Sequence, residues 1–202
     1  MIVILNPKEP VAREFIGLAR QLRYRIAESA IPARFRMDQL IEPLRPKPGF
    51  QPYPKHTLLK HICKQWERLP SFGRLEHFAR FEDGKLRLAD LRATPTKLRY
   101  KNWADDDWEE GISVCQTLVI CKPPNFAHEQ RDLCAVSLHA AARYYQRASV
   151  KSDDAILKDL HPLANFTLEQ NTEFTISVNG GNWVGEGLNI NSKVVLLARS
   201  FL

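Results

Sequence analysis

The sequence predicts an α+β protein: a mostly antiparallel sheet with helices gathered on one side. Three observations carry this. Helical periodicity marks residues 10–29 and 57–69, and three strands finish the chain, the first of them alternating as "TEFTISV". Between them an Asp83-Gly84 pair joins two alternating segments as a hairpin turn. The order β-α-α-α-ββ-β-α-α-βββ also fits a ferredoxin-like core with a C-terminal three-strand meander. With 202 residues, 44% of them hydrophobic, the chain is expected to form one domain over 1–202 around a sizeable core.

The elements follow in order. "MIVIL" reads as a buried strand. Pro10 suits a first helical turn. Val11, Phe15, Leu18, Leu22 and Ile26 then mark a helix over 10–29. Arg13, Arg20 and Tyr24 share its opposite face, the latter two within about 20° of Arg13 on either side. A short helix is expected over 32–41. Residues 43–54, "PLRPKPGFQPYP", hold five prolines in twelve positions, an extended connector that neither helix nor inner strand tolerates. Residues 57–69 form an amphipathic helix with Leu58, Ile62, Trp66 and Leu69 inward and Lys60, Lys64 and Arg68 as a basic stripe. Strands over 74–81 and 85–92 flank the Asp83-Gly84 turn and carry Arg74, Arg80, Lys85, Arg87 and Arg92.

Residues 95–111 pass from basic to acidic, and 112–121 is an apolar run of strand length. Asn125 can cap a helix reaching about residue 148, with an Ala-rich middle. A further helix is expected over 152–160, then strands over 172–178, 182–190 and 193–201.

"NGGNWVGEG" (179–187) is the stretch most like a ligand loop. It lacks the Lys-Ser/Thr of a phosphate loop and opens no helix, so phosphate-loop and dinucleotide readings both fail. It reads instead as a hairpin, with Asn179-Gly180 supplying positive φ. Gly185 and Gly187 leave one strand face bare, which calls for a close neighbour: a helix of the protein or a ligand backbone.

The charge is uneven. Residues 1–101 carry 21 Lys+Arg against 10 Asp+Glu, a net of +11; the remainder carries 8 against 13, a net of −5. A basic half of this kind suits a polyanion. The expected function is therefore binding of RNA or single-stranded nucleic acid, as a subunit of a larger ribonucleoprotein or of a defence or mobile-element system. The candidate binding residues are Arg13, Arg20, Tyr24, Lys60, Lys64, Arg68, Arg74, Arg80, Lys85, Arg87, Arg92, Lys97, Arg99, Tyr100, Lys101 and Trp103. The rings among them are suited to stacking on unpaired bases.

Two alternatives stand beside this. A metal-independent ribonuclease of toxin type would draw on His56, His61 and His77. A protein–protein module or inhibitor would set the basic half against an acidic partner. Cys121, His128, Cys134 and His139 are too widely spaced for a zinc module, and the acids of "DDDWEE" suit the start of a solvated helix. No metal and no cofactor is expected. The four cysteines lack paired spacing and no apolar run is long enough to span a bilayer, so a cytoplasmic protein with no membrane partner is expected.

Overall fold

A computed structural model describes residues 10–45, 55–98, 109–122, 125–167, 172–190 and 193–202. Among them are four α-helices and seven strands. The helices are α1 (Arg13–Ile41), α2 (Lys55–Glu67), α3 (Leu138–Arg147) and α4 (Asp153–Ala164). The strands are β1 (Arg74–Glu82), β2 (Lys85–Leu98), β3 (Glu109–Lys122), β4 (Asn125–Ser137), β5 (Glu173–Val178), β6 (Gly181–Ile190) and β7 (Lys193–Phe201). The strands form one mostly antiparallel sheet, ordered β1-β2-β3-β4-β7-β6-β5. The α+β class and the C-terminal meander β5-β6-β7 are as expected. "MIVIL", the prolines of 46–54, and Arg99, Tyr100, Lys101 and Trp103 lie outside the described residues.

The sequence reading differs from the structure at three elements. The two helices expected over 10–29 and 32–41 are one. Its buried stripe is Ala19, Leu22, Ile26, Ala30, Ala33, Met37 and Ile41, an unbroken three-four spacing that runs through Pro32. Pro32 is exposed, so the carbonyl it leaves without a donor is on the wet side of the helix. Leu18, expected inside, is 39% exposed, and Ala19 takes its place.

The helix expected over 125–148 is a strand followed by a helix. β4 lies between β3 and β7, and its parallel pairing with β7 runs from Cys134↔Leu196 to Val136↔Ala198. The working cap is Ser137, whose hydroxyl accepts from the Ala140 N–H at 3.0 Å.

The third difference concerns the glycines. In the β5–β6 hairpin Val178 pairs with Gly181, so Asn179 and Gly180 form the two-residue loop. Positive φ falls on Gly181, at 149°, and not on the loop residues. The neighbour that Gly185 accommodates is neither helix nor ligand but strand β7. A Cβ at Gly185 would lie 1.9 Å from the Leu197 carbonyl oxygen and 2.9 Å from the Ala198 Cα. The register slips there, from Val184↔Ser200 to Gly185↔Ala198, leaving Arg199 as the extra residue of a bulge.

The chain forms two compact units, to which α1, β2, β3 and β4 each contribute residues. One comprises residues 1–25, 94–114 and 132–202. Its core is aromatic: Tyr144 stacks on Trp183 at 5.5 Å, and Phe201 meets both rings at 4.7 Å. Asp159, 3% exposed, ties the glycine hairpin to α4. Its carboxylate accepts from the Tyr144 hydroxyl at 2.9 Å and the Gly180 N–H at 3.3 Å, and its backbone carbonyl accepts from the Trp183 indole at 2.9 Å. Burial, reinforced by Asp159, pushes the Tyr144 hydroxyl well above the ordinary phenol range.

The other unit comprises residues 26–93 and 115–131. Its core joins Met37 and Ile41 of α1, Leu59, Ile62 and Trp66 of α2, Leu86 and Leu88 of β2, and Val119 and Cys121 of β3. Beside it lies a buried ionic group. Asp90, 1% exposed, accepts from the Nε atoms of both Arg74 and Arg92. The remaining guanidinium nitrogens are used as well. Arg74 donates to the Trp66 and Glu67 carbonyls, and Arg92 donates to the Pro70 and Phe72 carbonyls at 2.7 and 3.3 Å. Two cations thus sit where α2 ends, where they also meet the negative end of its dipole.

All four cysteines are free thiols; Cys115, Cys121 and Cys134 are buried in β3 and β4, and Cys63 on α2 is half-buried. Burial pushes the Cys134 thiol up to about 12.

Two stability outcomes follow from this packing. Asp90→Ala leaves two desolvated guanidiniums uncompensated and should cost about 3–5 kcal/mol in urea unfolding, where a surface carboxylate would cost well under 1. Gly185→Ala drives a methyl into the β7 backbone and should cost about 2–3 kcal/mol, read as a lowered melting temperature.

Candidate nucleic-acid interface

The sequence divides its charge by halves; the fold divides it by units. The unit of residues 26–93 and 115–131 holds 15 Lys+Arg against 9 Asp+Glu, a net of +6. The other unit holds 14 of each and is neutral. The whole formal excess of positive charge belongs to one compact body, and the neutralisation open to the sequence halves does not extend to it.

Within this unit, strand alternation sorts the cations. Leu86 and Leu88 point into the core with α1 and α2, so Lys85 and Arg87 point to the other face of β2. On β1 the register places Arg80 directly opposite Arg87, Glu82 opposite Lys85, and Phe78 opposite Ala89. Directly opposed residues share a face. The Arg80 guanidinium lies over the Phe78 ring, 6.0 Å from its centroid.

The same face continues onto β3 and β4. Val119 and Cys121 are core residues, so Leu118, Ile120 and Lys122 alternate to the opposite side. Phe126 packs against the core, so Ala127, Glu129 and Arg131 do likewise, and Arg131 bonds the Gln116 side-chain oxygen at 3.0 Å. Leu118, Ile120, Gln116, Lys122 and Arg131 were not among the residues singled out from sequence. The sequence of β3 is a near-continuous apolar run and does not itself show this alternation; only the burial pattern does.

The basic stripe of α2 forms as expected, with Lys60, Lys64 and Arg68 exposed and Ile62 and Trp66 buried. Because α2 packs on the core side, this stripe and the hairpin cations lie on opposite sides of the unit. Among the described residues no carboxylate pairs with Lys60, Lys64, Arg68, Lys85 or Arg87.

Arg74 and Arg92 are the exceptions. Their side chains are 4% and 5% exposed and are engaged with Asp90 and four backbone carbonyls, so neither is presented to a ligand. Arg13, Arg20 and Tyr24 are exposed on α1 in the neutral unit, and Lys97 is exposed on β2 in that same unit.

Among the described residues His61 and His77 do not assemble a catalytic pair. His61 is exposed on α2, and His77 is exposed on β1 opposite Asp90. Among the described residues no hydrogen bond joins them. His56 lies in α2, and its side chain is outside the described set. Desolvation first, and then the Arg74 guanidinium, lower the His77 pKa below its ordinary value. His128 and Asp132 sit on strand β4, where side chains four residues apart are separated by about 13 Å and cannot pair; Asp132 accepts from the Ser113 hydroxyl instead. Cys134 is inside the sheet while His139 is exposed on α3.

Comparison of the chain with protein-family models, with curated proteins and with solved structures gives no match.

The His77 shift has a readable sign. The folded chain binds fewer protons than the unfolded one between the lowered pKa and the ordinary 6.5. His77 therefore disfavours the folded state as pH falls through that window, and an NMR titration of the imidazole should place its midpoint below 6.5. His77→Gln should remove that acid-side component of the stability profile.

Proposed function

We propose that this protein binds single-stranded nucleic acid, RNA or DNA, through the unit formed by residues 26–93 and 115–131. The observation that carries the reading is the concentration of the entire +6 charge in that unit, with Lys60, Lys64, Arg68, Arg80, Lys85 and Arg87 paired to no carboxylate among the described residues. A folded protein that keeps so many cations apart from its own carboxylates leaves them for a polyanion. The absence of any recognition-helix, zinc-finger or RNP signature in the sequence argues against reading of duplex sequence and favours contacts to phosphate and base faces.

The test is a titration of fluorescent single-stranded RNA, single-stranded DNA and duplex DNA, followed by anisotropy at two salt concentrations. Four neutralised phosphates give a logarithmic salt slope near −3, so affinity should fall about fiftyfold between roughly 50 and 200 mM salt. Binding without salt dependence, or no binding at low salt, refutes the proposal. The same mixtures on a denaturing gel distinguish a binder, which leaves the strand intact, from a ribonuclease.

A further inference from the structure

Resting on that reading, we infer that the strand is bound by the face of β1, β2 and β3 turned away from α2, with Arg80 and Arg87 as a paired phosphate clamp and Phe78 as the base-stacking ring. The basic stripe of α2, on the other side of the unit, is not the binding surface.

The register carries the inference. Arg80 and Arg87 are directly opposed across β1 and β2, and both are exposed. Two like charges at such a position repel, and opposed like charges destabilise a sheet. Glu82, opposite Lys85, shares this face without forming an ion pair to either arginine among the described residues. Among the described residues no carboxylate pairs with either guanidinium, and Arg80 is supported only by the Phe78 ring beneath it. A phosphate between the two guanidiniums would turn the repulsion into two charge-assisted contacts. The neighbouring positions extend the same chemistry. Lys85 and Lys122 add positive charge at the edges of the face, and Phe78, Leu118 and Ile120 provide a partly exposed apolar floor between the cations.

Alternating cations and flat apolar side chains match one class of polyanion better than others. An unpaired base has a free π-face to lay on Phe78 while its phosphate meets the arginines. A duplex hides its base faces and could use only the cations. The α2 stripe differs in kind: Lys60 and Lys64 on the helix and Arg68 just past its end have no exposed Phe, Tyr or Trp beside them among the described residues, as expected of a solvated face.

The experiment compares three variants of the full chain against a labelled single-stranded RNA of mixed sequence, with single-stranded and duplex DNA of equal length as competitors. Arg80→Ala with Arg87→Ala should weaken RNA binding at least tenfold and make the salt slope shallower by about 0.7, the share of the one clamped phosphate. Phe78→Ala should weaken it about tenfold with no change in salt slope, and Phe78→Leu, which keeps the apolar volume, should show the same loss. Lys60→Ala with Lys64→Ala and Arg68→Ala should cost less than threefold. Duplex DNA should compete at least tenfold more weakly than either single strand. The arginine double variant removes a repulsion and should melt no lower than the parent, so its loss is not one of folding. Wild-type binding that survives the sheet variants and is lost in the α2 variant overturns this inference and leaves the proposed function standing. Duplex competing as well as single strands also overturns it. No binding by the wild type at low salt removes the proposed function itself.

Discussion

One carboxylate organises the basic unit. Asp90 is nearly inaccessible, and it neutralises two guanidiniums that are themselves inaccessible. Neither Arg74 nor Arg92 could be buried alone, because a desolvated charge without a partner costs several kcal/mol. Together with Asp90 they can be buried, and their other nitrogens take up the carbonyls at the end of α2 and in the loop after it. That fixes where α2 stops and how the chain enters β1. The packing of Ile62 and Trp66 on Leu86 and Leu88 follows from that placement. No buried side-chain polar atom among the described residues is left without a partner.

The same constraint explains which basic residues remain for other work. Of the five cations the hairpin carries, two are consumed by Asp90 and three stay outside. Structure and surface thus draw on one local pool of arginine, and the strand phase decides which role each residue has. Lys85 and Arg87 alternate with Leu86 and Leu88, so over residues 85–88 one side of β2 is apolar and the other is basic. The sheet acts as a sorting plane, which a net charge or a charge plot along the chain does not reveal.

Much of the fold was legible because local rules agreed with one another there. The Asp83-Gly84 turn takes φ of 51° and 71°, and the strands on either side alternate in step with it. The apolar stripe of α2 and the run that became β3 were equally plain. The misread elements are those where alanine carried the signal. Ala19, Ala30 and Ala33 complete the stripe of α1, yet they weigh little in a count of apolar residues. Alanines after residue 139 drew the expected helix back to Asn125, although Ser137 was the better cap. The inward arginines had a signal that went unused. Asp90 stands in phase with Leu86 and Leu88, and a carboxylate on the dry side of a strand demands a cation. The opposition of Arg80 and Arg87 also follows from the two-residue turn once the register is counted from it. The continuation onto β3 and β4 did not, because strand order is a long-range property that no local pattern encodes.

The cysteines carry a consequence of a different kind. Cys134 lies on β4 with its thiol held protonated, and Cys115 and Cys121 are buried on β3. A protonated, enclosed sulfur reacts only when the strands around it part. Alkylation of these three thiols is therefore a clock for transient opening of β3 and β4, running without an engineered label, while half-buried Cys63 keeps time for α2.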